Sequence, residues 1–276
     1  MIKIKNTIKW SLVLCLLFVF SGVAQVDNVV KVPLSKPGSE GKLILSLIEG
    51  SITVEGHSSE YVLVEAIKRS RNSNWKNKNK NKNKQGLRRI EENSLSFSIE
   101  ENNNVVHIKS KVYDGTVDYI IKVPKNFSVK LKATNNGLIT VNGLNGTHEV
   151  SNLNGEIKMY GVGGSVIADA LNENITVQFE SIYNDTAMMF TSLNGDIDVS
   201  FPSDLKANVM ARSDNGNVYT DFEMEASKAD NRVEGTGSDG VYRVTQKKGV
   251  SGKINGGGID INFKTLNGDI LIRSNQ

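Results

Sequence analysis

Apolar and polar residues alternate in short segments through the second half of the chain, and Asn or Gly interrupts almost every run. Ile139 and Val141 follow one Asn-Gly pair, and Ile197 and Val199 follow another. A period of two places such β-branched residues on one face of a strand and the intervening residues on the other. The pattern predicts an all-β protein in which these side chains are buried. The predicted outward residues include Thr140, Lys158, Thr176 and Asp198.

One short phrase recurs throughout this region. It reads LNGEIKM from Leu153, LNGDIDV from Leu193 and LNGDILI from Leu266. Further copies begin at Asn135, Leu171 and Asp214, an earlier relative begins at Ile48, and a degenerate copy, GGGIDIN, begins at Gly256. The glycine of the phrase, which we take to be replaced by Asn174 in one copy, falls at positions 137, 155, 174, 195 and 216. A return about every 20 residues indicates an array of stacked repeats.

Each unit reads as a strand, an Asn-Gly turn and a second strand. Asn-Gly supplies backbone positions at which a positive φ costs little. In a β-solenoid such turns are corners, and equivalent strands stack in parallel from one rung to the next. In an antiparallel β-sandwich the same turns would form type I′ hairpins. The regular period favours a β-helix-like, single-stranded β-solenoid with rungs of about 20 residues, and the sandwich is the alternative.

Residues 1–24 are predicted to be a secretory signal peptide. An apolar run from Leu12 to Phe20 follows basic residues, and small residues precede a cleavage site before Gln25. The only cysteine, Cys15, lies within this segment, so the exported chain is expected to contain no disulfide and no thiolate metal site. No later apolar run is long enough to span a membrane as a helix.

Residues 25–276 are predicted to form a single β domain. Residues 25–125 would supply the first rungs or a cap, and residues 126–276 would supply the Asn-Gly rungs. A disordered basic loop is predicted at 69–89, because lysine and asparagine alternate there without an apolar face.

The basic loop is a candidate contact for a polyanion such as anionic lipid or polysaccharide. The segment from Lys68 to Arg89 contains ten basic residues and no acidic one, whereas the whole chain has a net charge of only +3. The simpler interpretation, which we favour, is a solvated insertion. No fold signature for nucleic-acid binding accompanies the run, so nucleic acid is not an expected partner. The candidate contact residues are Lys68, Arg69, Arg71, Trp75, Lys76, Lys78, Lys80, Lys82, Lys84, Arg88 and Arg89.

The stretch VDYIIKVPKNFSVKLKATNNGLITVNGLNGTHEVSNLNGEI, residues 117–157, resembles the bacterial "putative adhesin" β-repeat family DUF4097. The similar parts are a strand that ends in Val123-Pro124, an alternating strand that ends in Ala133-Thr134, and the two Asn-Gly-x-Ile phrases that follow. The resemblance extends over roughly residues 40–275. It implies an exported, β-solenoid-like, non-catalytic protein of the envelope or cell surface, and it supplies no catalytic or binding residues.

Catalytic and metal-binding patterns are not found in the sequence. His57, His107 and His148 have no zinc-ligand spacing, and no G-x-S-x-G nucleophile elbow is present. The three histidines are therefore interpreted as incidental surface or strand residues. Asp196 and Asp198 are weak candidates for calcium binding or glycoside hydrolysis, because acids after Asn-Gly are common in turns. No catalytic residue, metal or cofactor is predicted.

The asparagines of the repeated turns are predicted to form a hydrogen-bonded ladder along the stack, as stacked amides do in other β arrays. We assign this role to Asn136, Asn154, Asn194, Asn215 and Asn267. The full set of predicted structural turn residues is Asn136, Gly137, Asn154, Gly155, Asn194, Gly195, Asn215, Gly216, Asn267 and Gly268.

The sequence therefore favours an exported, non-catalytic, adhesin-like interaction module located in the periplasm or at the cell surface. Its partner would be an envelope protein, a polysaccharide or an anionic lipid, contacted through a flat outer face of the strands. Two alternatives are a periplasmic partner in envelope-stress signalling and a polysaccharide-active β-helix enzyme. A cluster of acidic residues across one face would favour the enzyme.

Overall fold

The computed structural model describes residues 29–69, 97–110, 115–135, 137–183, 186–226, 234–238, 241–245 and 249–275. All regular elements in these ranges are β-strands, so the all-β prediction is confirmed for the described part of the chain. These ranges also contain no helix with the length and hydropathy needed to cross a membrane. The predicted signal peptide and most of the basic loop lie outside the described residues.

The strands are short and follow one another along the chain. They are β1 (Val29–Pro33), β2 (Gly41–Glu49), β3 (Ile52–His57), β4 (Tyr61–Lys68), β5 (Phe97–Asn102), β6 (Val105–Ser110), β7 (Val117–Pro124), β8 (Phe127–Asn135), β9 (Ile139–Asn142), β10 (Asn145–Asn152), β11 (Ile157–Ala170), β12 (Ile175–Ile182), β13 (Met188–Ser192), β14 (Ile197–Phe201), β15 (Ala207–Ser213), β16 (Val218–Thr220), β17 (Met224–Ala226), β18 (Glu234–Ser238), β19 (Val241–Thr245), β20 (Val250–Ile254), β21 (Ile259–Thr265) and β22 (Ile270–Ser274).

The two strands of a unit do not pair with each other across their corner. Each pairs in parallel with the equivalent strand of a neighbouring unit: Ile175 lies opposite Ile157 on one side and Ile197 on the other. The type I′ hairpins of the sandwich alternative are therefore not formed at these corners. Parallel pairing between equivalent strands explains why the same phrase returns with the same residues facing inward.

Two ladders of strands result. Ladder A contains the strands that enter the corners, and ladder B contains the strands that leave them. The order in ladder A is β5, β6, β2, β8, β10, the second part of β11, β13, β21, β15, β20 and β17. The order in ladder B is β1, β4, β7, β3, β9, the first part of β11, β12, β14, β22 and β16. Because β11 belongs to both ladders, they form one hydrogen-bonded network of 20 strands.

The first and last units are inserted between others rather than placed at the ends of the stack. Strands β2 and β3 lie between β6–β7 and β8–β9, and strands β21 and β22 lie between β13–β14 and β15–β16. The prediction that GGGIDIN is a corner copy is therefore wrong. Its Ile259 pairs with Ala207 in ladder A, so this segment enters the final corner instead of leaving one.

Antiparallel strands cover most of the ends of the stack. Strands β4 and β1 continue ladder B beyond β7, and β5 covers β6 in ladder A. At the other end, β20 and β17 extend ladder A beyond β15. A terminal parallel strand would otherwise present unpaired backbone groups to solvent or to another chain. Residues before 125 thus supply both stacked units and covering strands.

The core lies between the ladders and consists of aliphatic and aromatic side chains, with β-branched residues on the ladder B side. Ile139, Val141, Ile197 and Val199 are all fully buried, which confirms the predicted inward face. The leading residues of ladder B stack in register from unit to unit: Ile52, Ile139, Ile157, Ile175, Ile197 and Ile270, followed by Val218. Burial of each such side chain stabilises the fold by about 1.5–3 kcal/mol.

Most corner glycines are required for close packing and not for a positive φ; the exception, Gly268, has a φ of 155°. Gly155, Gly195 and Gly216 do not have positive φ values. A Cβ on Gly155 would lie 1.9 Å from the carbonyl oxygen of Gly137, and one on Gly195 would lie 2.3 Å from that of Glu173. The predicted conformational role is therefore wrong for these residues, because the backbone of the neighbouring corner fills the space that a side chain would need.

The residue that replaces glycine in one corner is also corrected. Ile175 pairs with Ile197, and the backbone N–H of Asp196 donates to Oδ1 of Asn174. Asn174 is therefore equivalent to Asp196, and Glu173 occupies the glycine position opposite Gly195. The assignment of Asn174 to that position was wrong by one residue.

Asparagine side chains connect consecutive corners. Each amide Nδ2 donates to the Oδ1 of the next asparagine at 2.7–3.0 Å, in the order Asn215, Asn267, Asn194, Asn172, Asn154 and Asn135. This hydrogen-bonded ladder thus contains four of the predicted asparagines. It also includes Asn135 and Asn172, which the sequence interpretation missed, whereas Asn136 lies outside the described residues.

A second set of polar side chains joins the corners from inside. These residues end the ladder A strands, where most neighbouring inward positions are apolar. Nδ2 of Asn152 donates to the carbonyl oxygen of Gly137 at 2.9 Å, and Oγ of Ser213 donates to that of Gly268 at 2.7 Å. Ser192 and Thr265 make equivalent bonds to Glu173 and Gly195. The bonds satisfy backbone carbonyl groups that the turn would otherwise leave unpaired.

His148 is a strand residue, one of the two placements expected for the histidines, and it is buried inside ladder A. It has no exposed surface and stacks between Val129 and Val166. Burial lowers the pKa of His148 from 6.5 to about 4; the nearby carbonyl groups of Leu144 and Gly163 oppose this change, but neither ring nitrogen has a hydrogen-bond partner. The imidazole is therefore neutral in the folded protein near neutral pH.

We expect His148 to make stability fall in acid. Unfolded His148 binds a proton below about pH 6.5 and the folded protein binds one only near pH 4, so the free energy of unfolding should fall by roughly 3 kcal/mol across that range. His148→Val should remove this decrease, as measured by urea unfolding between pH 7 and pH 4. His107→Val, which changes an outward residue of β6, is the control and should keep it. An unchanged slope in His148→Val would contradict the assignment.

Candidate functional site: the outer faces of the two ladders

The outer face of ladder B is a largely polar surface formed by adjacent parallel strands. Alternation along each strand turns every second residue outward, and the register aligns these residues in two rows across the strands. One row contains Thr53, Thr140, Lys158, Thr176, Asp198 and Leu271. The other contains Glu55, Asn142, Tyr160, Gln178, Ser200 and Arg273. The predicted outward positions thus lie in a single row.

Tyr160 occupies the middle of this face. The residue is 40% exposed, and the paired residues on the adjacent strands are Asn142 and Gln178. The register therefore places Tyr160 between two residues that carry side-chain amides, on strands about 4.8 Å away on either side. An exposed aromatic ring offers a flat apolar surface, and each amide can both donate and accept hydrogen bonds. The arrangement is suited to a ligand that carries hydroxyl groups around an apolar face.

The charged groups of this face are paired within the chain. Arg273 Nε donates to Asp198 Oδ1 at 2.8 Å, and Nη2 donates to Oδ2 at 3.2 Å. Lys158 donates to the carboxylate of Glu156, and this hydrogen bond raises the pKa of Lys158 above its usual value. These exposed pairs contribute little to stability, but they leave the centre of the face without an unpaired charge.

The acids considered for calcium binding have structural partners. Oδ1 of Asp196 accepts the backbone N–H of Asp269 at 2.8 Å, and Oδ1 of Asp269 accepts that of Asn217 at 2.8 Å. Asp198 pairs with Arg273 as described above. In the part of the chain that the structure describes, no three His, Cys, Asp or Glu side chains are grouped so as to hold a metal ion.

Two other acids line a cleft at the end of the strands opposite the Asn-Gly corners. Glu180 and Asp204 face a cavity of about 570 Å³ that also contacts Lys206. The turn between β14 and β15 and the turn before β21 form its walls. Glycoside hydrolysis requires two carboxyl groups at a defined separation across a groove, so Glu180 is the acid to change in a test of the enzyme alternative.

The outer face of ladder A is more apolar and carries a groove of about 550 Å³. Ile44, Lys130, Glu149, Ile167 and Met189 follow one another across its floor. Ser46, Lys132, Ser151, Asp169 and Thr191 form the next row. Lys130 and Glu149 form an ion pair at 2.8 Å.

Leucines extend this apolar surface onto the corner. Each belongs to a Leu-Asn-Gly or Leu-Asn-Glu phrase, and 37–40% of each residue remains exposed. They are Leu153, Leu171, Leu193 and Leu266. Backbone hydrogen bonds stack these corners, so the leucines form a continuous stripe beside the asparagine ladder. Alternation identified the outward positions, but no sequence signal distinguished this apolar stripe from the polar face of ladder B.

Two of the candidate polyanion contacts lie in the described part of the chain. Lys68 ends β4. Arg69 Nε donates to Asp118 Oδ2 at 2.6 Å, and its Nη2 donates to Ser51 Oγ at 2.9 Å. Arg69 is therefore held against the first corner. The other candidates lie outside the described residues: Arg71, Trp75, Lys76, Lys78, Lys80, Lys82, Lys84, Arg88 and Arg89.

No protein-family model matches the chain, and no curated protein is similar to it in sequence. A solved structure from Clostridium sporogenes with the name "putative cell adhesion protein" resembles it with a TM-score of 0.36 and 13% sequence identity. The likeness covers 90% of this chain and 100% of that one.

Proposed function

We propose that the protein is an exported, non-catalytic β-solenoid that acts as an adhesin-like module of the periplasm or cell surface and binds an envelope polysaccharide through the outer face of ladder B. The row Asn142, Tyr160 and Gln178 carries this proposal. It combines an exposed ring with amides on both sides, and the charges around it are already paired. Such a surface suits a neutral, hydroxyl-rich ligand better than a polyanion.

Export and family membership remain part of the proposal. The basic and apolar pattern of residues 1–24 supports a signal peptide, and the repeated Asn-Gly-x-Ile phrase supports a relation to DUF4097. The stacking of equivalent strands in register supports the description as a solenoid. The use of Asp196, Asp198 and Asp269 in structural bonds supports a binding role over catalysis.

Binding should depend on Tyr160. Tyr160→Ala is expected to weaken the binding of purified protein to polysaccharide extracted from the envelope of the producing cells by about tenfold or more, because aromatic anchors often contribute over 1 kcal/mol. Tyr219→Ala is the matched control, since Tyr219 is 52% exposed on the same face at the end of ladder B. Equal effects of the two substitutions would contradict the proposed site.

The same assay separates this proposal from recognition by the basic segment and from a polysaccharide-active enzyme. Deletion of residues 74–85 should leave binding unchanged, and added salt should have little effect. Loss of binding on deletion, together with weakening by salt, would instead assign recognition to the basic segment. The polysaccharide should also be recovered at its original chain length. If the protein shortens the polysaccharide and the Glu180→Gln variant does not, the enzyme alternative is favoured.

A further inference from the structure

The outer face of ladder A has no partner in the described part of the chain, yet it exposes large apolar side chains around β13. Ile167 is 44% exposed, Met189 is 49% exposed and Leu193 is 38% exposed. Contiguous apolar patches of this kind on a protein surface mark interaction sites. We propose that this face, centred on β13, packs against the same face of a second copy of the chain to form a symmetric dimer.

Opposite charges lie at equal distances on either side of β13. The register places Asp169, Thr191 and Lys264 in one outward row, on β11, β13 and β21. Neither Asp169 nor Lys264 forms an ion pair with another described residue. A two-fold axis that runs parallel to the strands and passes over β13 reverses the strand order in the second copy. It therefore places Asp169 opposite Lys264 of the second copy, and Lys264 opposite its Asp169.

The same axis also brings several apolar residues onto apolar residues, although Ile167 lies opposite Asn262 of the second copy. Met189 and Leu193 lie on or beside β13, so each faces its own counterpart in the second copy. Leu171 faces Leu266, because these residues follow β11 and β21 at the same corner position. Two aligned sheets pack about 10 Å apart, which lets side chains from both faces interdigitate. A C2 interface needs this kind of self-complementary surface.

Self-complementarity favours a second copy over an unrelated partner. A row with charges of one sign would require a partner of the opposite sign, whereas the row Asp169, Thr191 and Lys264 complements itself when reversed. The outer face of ladder B differs because its Asp198 and Lys158 already pair within the chain. The two faces therefore have separate roles, and the dimer does not depend on the proposed polysaccharide binding.

A charge-reversal series tests the dimer. We expect the purified protein to sediment as a dimer in analytical ultracentrifugation and to dissociate on dilution. Each symmetric single change, D169K or K264D, creates two repulsive contacts and should weaken dimerisation by about tenfold or more. The double variant D169K/K264D restores both opposite-charge contacts and should recover dimerisation to within about threefold of the original protein.

Two further variants control for folding and location. M189E places two carboxylates together at the axis and should give monomers, whereas Q178E adds a charge to the outer face of ladder B and should leave the dimer intact. All variants should retain the thermal unfolding of the original protein at low concentration. A monomer at every concentration, a dimer insensitive to D169K and K264D, or a double variant that fails to recover dimerisation would overturn the proposal.

Discussion

Replacement of Ile197 by Asp is expected to lower the free energy of unfolding by more than about 4 kcal/mol, a large fraction of the stability of an ordinary domain. Ile197 has no exposed surface and stacks in register between Ile175 and Ile270. A carboxylate at this position would lose its hydration without gaining a partner, and the apolar contacts with both neighbouring units would also be lost.

Urea unfolding followed by far-UV circular dichroism measures this effect. Ser200→Asp is the matched control, because Ser200 lies on the same strand, faces outward and is adjacent to Arg273. The control should change the unfolding free energy by less than about 1 kcal/mol, as surface substitutions usually do. Similar small losses in both variants would show that the inward face of β14 has been assigned incorrectly.

The inward face was predictable because each unit encodes it locally. A β-branched residue at alternate positions, as in Ile139 and Val141, has one energetically acceptable orientation once one face is buried. The order of the units was not predictable, because every unit carries the same local pattern. Ile270 has the same phrase around it as Ile197, so local sequence does not decide that β22 lies between β14 and β16. That order depends on long connections and on which neighbours complete the core.

At the corners, the sequence predicted which residues recur but not always what they do. Asn194 and Asn267 were both expected to belong to an asparagine ladder, since identical amides recur at one position, and they are neighbours in it. The purpose of Gly195 was mistaken, because the sequence does not reveal how closely the next backbone approaches; of the predicted turn glycines, only Gly268 has the positive φ that was expected. The bond from Ser213 to Gly268 was missed because serine at a strand end has many other roles.

The outer faces were the least predictable part of the protein. Alternation showed that Lys158 and Thr176 point outward, but it did not show which outward residues come together across strands. Tyr160 gains its significance only from the register that places Asn142 and Gln178 on the adjacent strands. Neighbours of this kind depend on pairing between units, and the sequence of one unit does not contain that information.

The two proposals together suggest how the faces would work in one assembly. A dimer joined through ladder A directs the outer faces of ladder B away from each other. A polysaccharide with repeated binding units, or two separate chains, can then contact both copies. Such bivalent binding raises the apparent affinity by about 10²–10⁴-fold when the spacing permits both contacts. K264D should therefore weaken binding to dense surfaces while leaving the affinity of each single face unchanged.

Substitution of Gly195 by Ala is expected to lower the unfolding free energy by about 3 kcal/mol or more, although it adds only one methyl group. The new Cβ would lie 2.3 Å from the carbonyl oxygen of Glu173 and 2.4 Å from its carbonyl carbon. Both contacts are with backbone, so no side-chain rotation can relieve them. The corner would have to move away from its neighbour, which would strain the hydrogen bonds from Asn194 to Asn172 and from Asp196 to Asn174.

Glu173→Ala provides the control because Glu173 occupies the same corner position and already has a Cβ. Thermal and urea unfolding of the two alanine variants should therefore differ clearly, with only Gly195→Ala showing a large loss. Because Gly195 does not have a positive φ, the loss can be attributed to the collision and not to backbone strain. Equal stability of the two variants would mean that the corners are free to separate. The glycine of the repeated Asn-Gly phrase would then need an explanation other than the close stacking of the corner backbones.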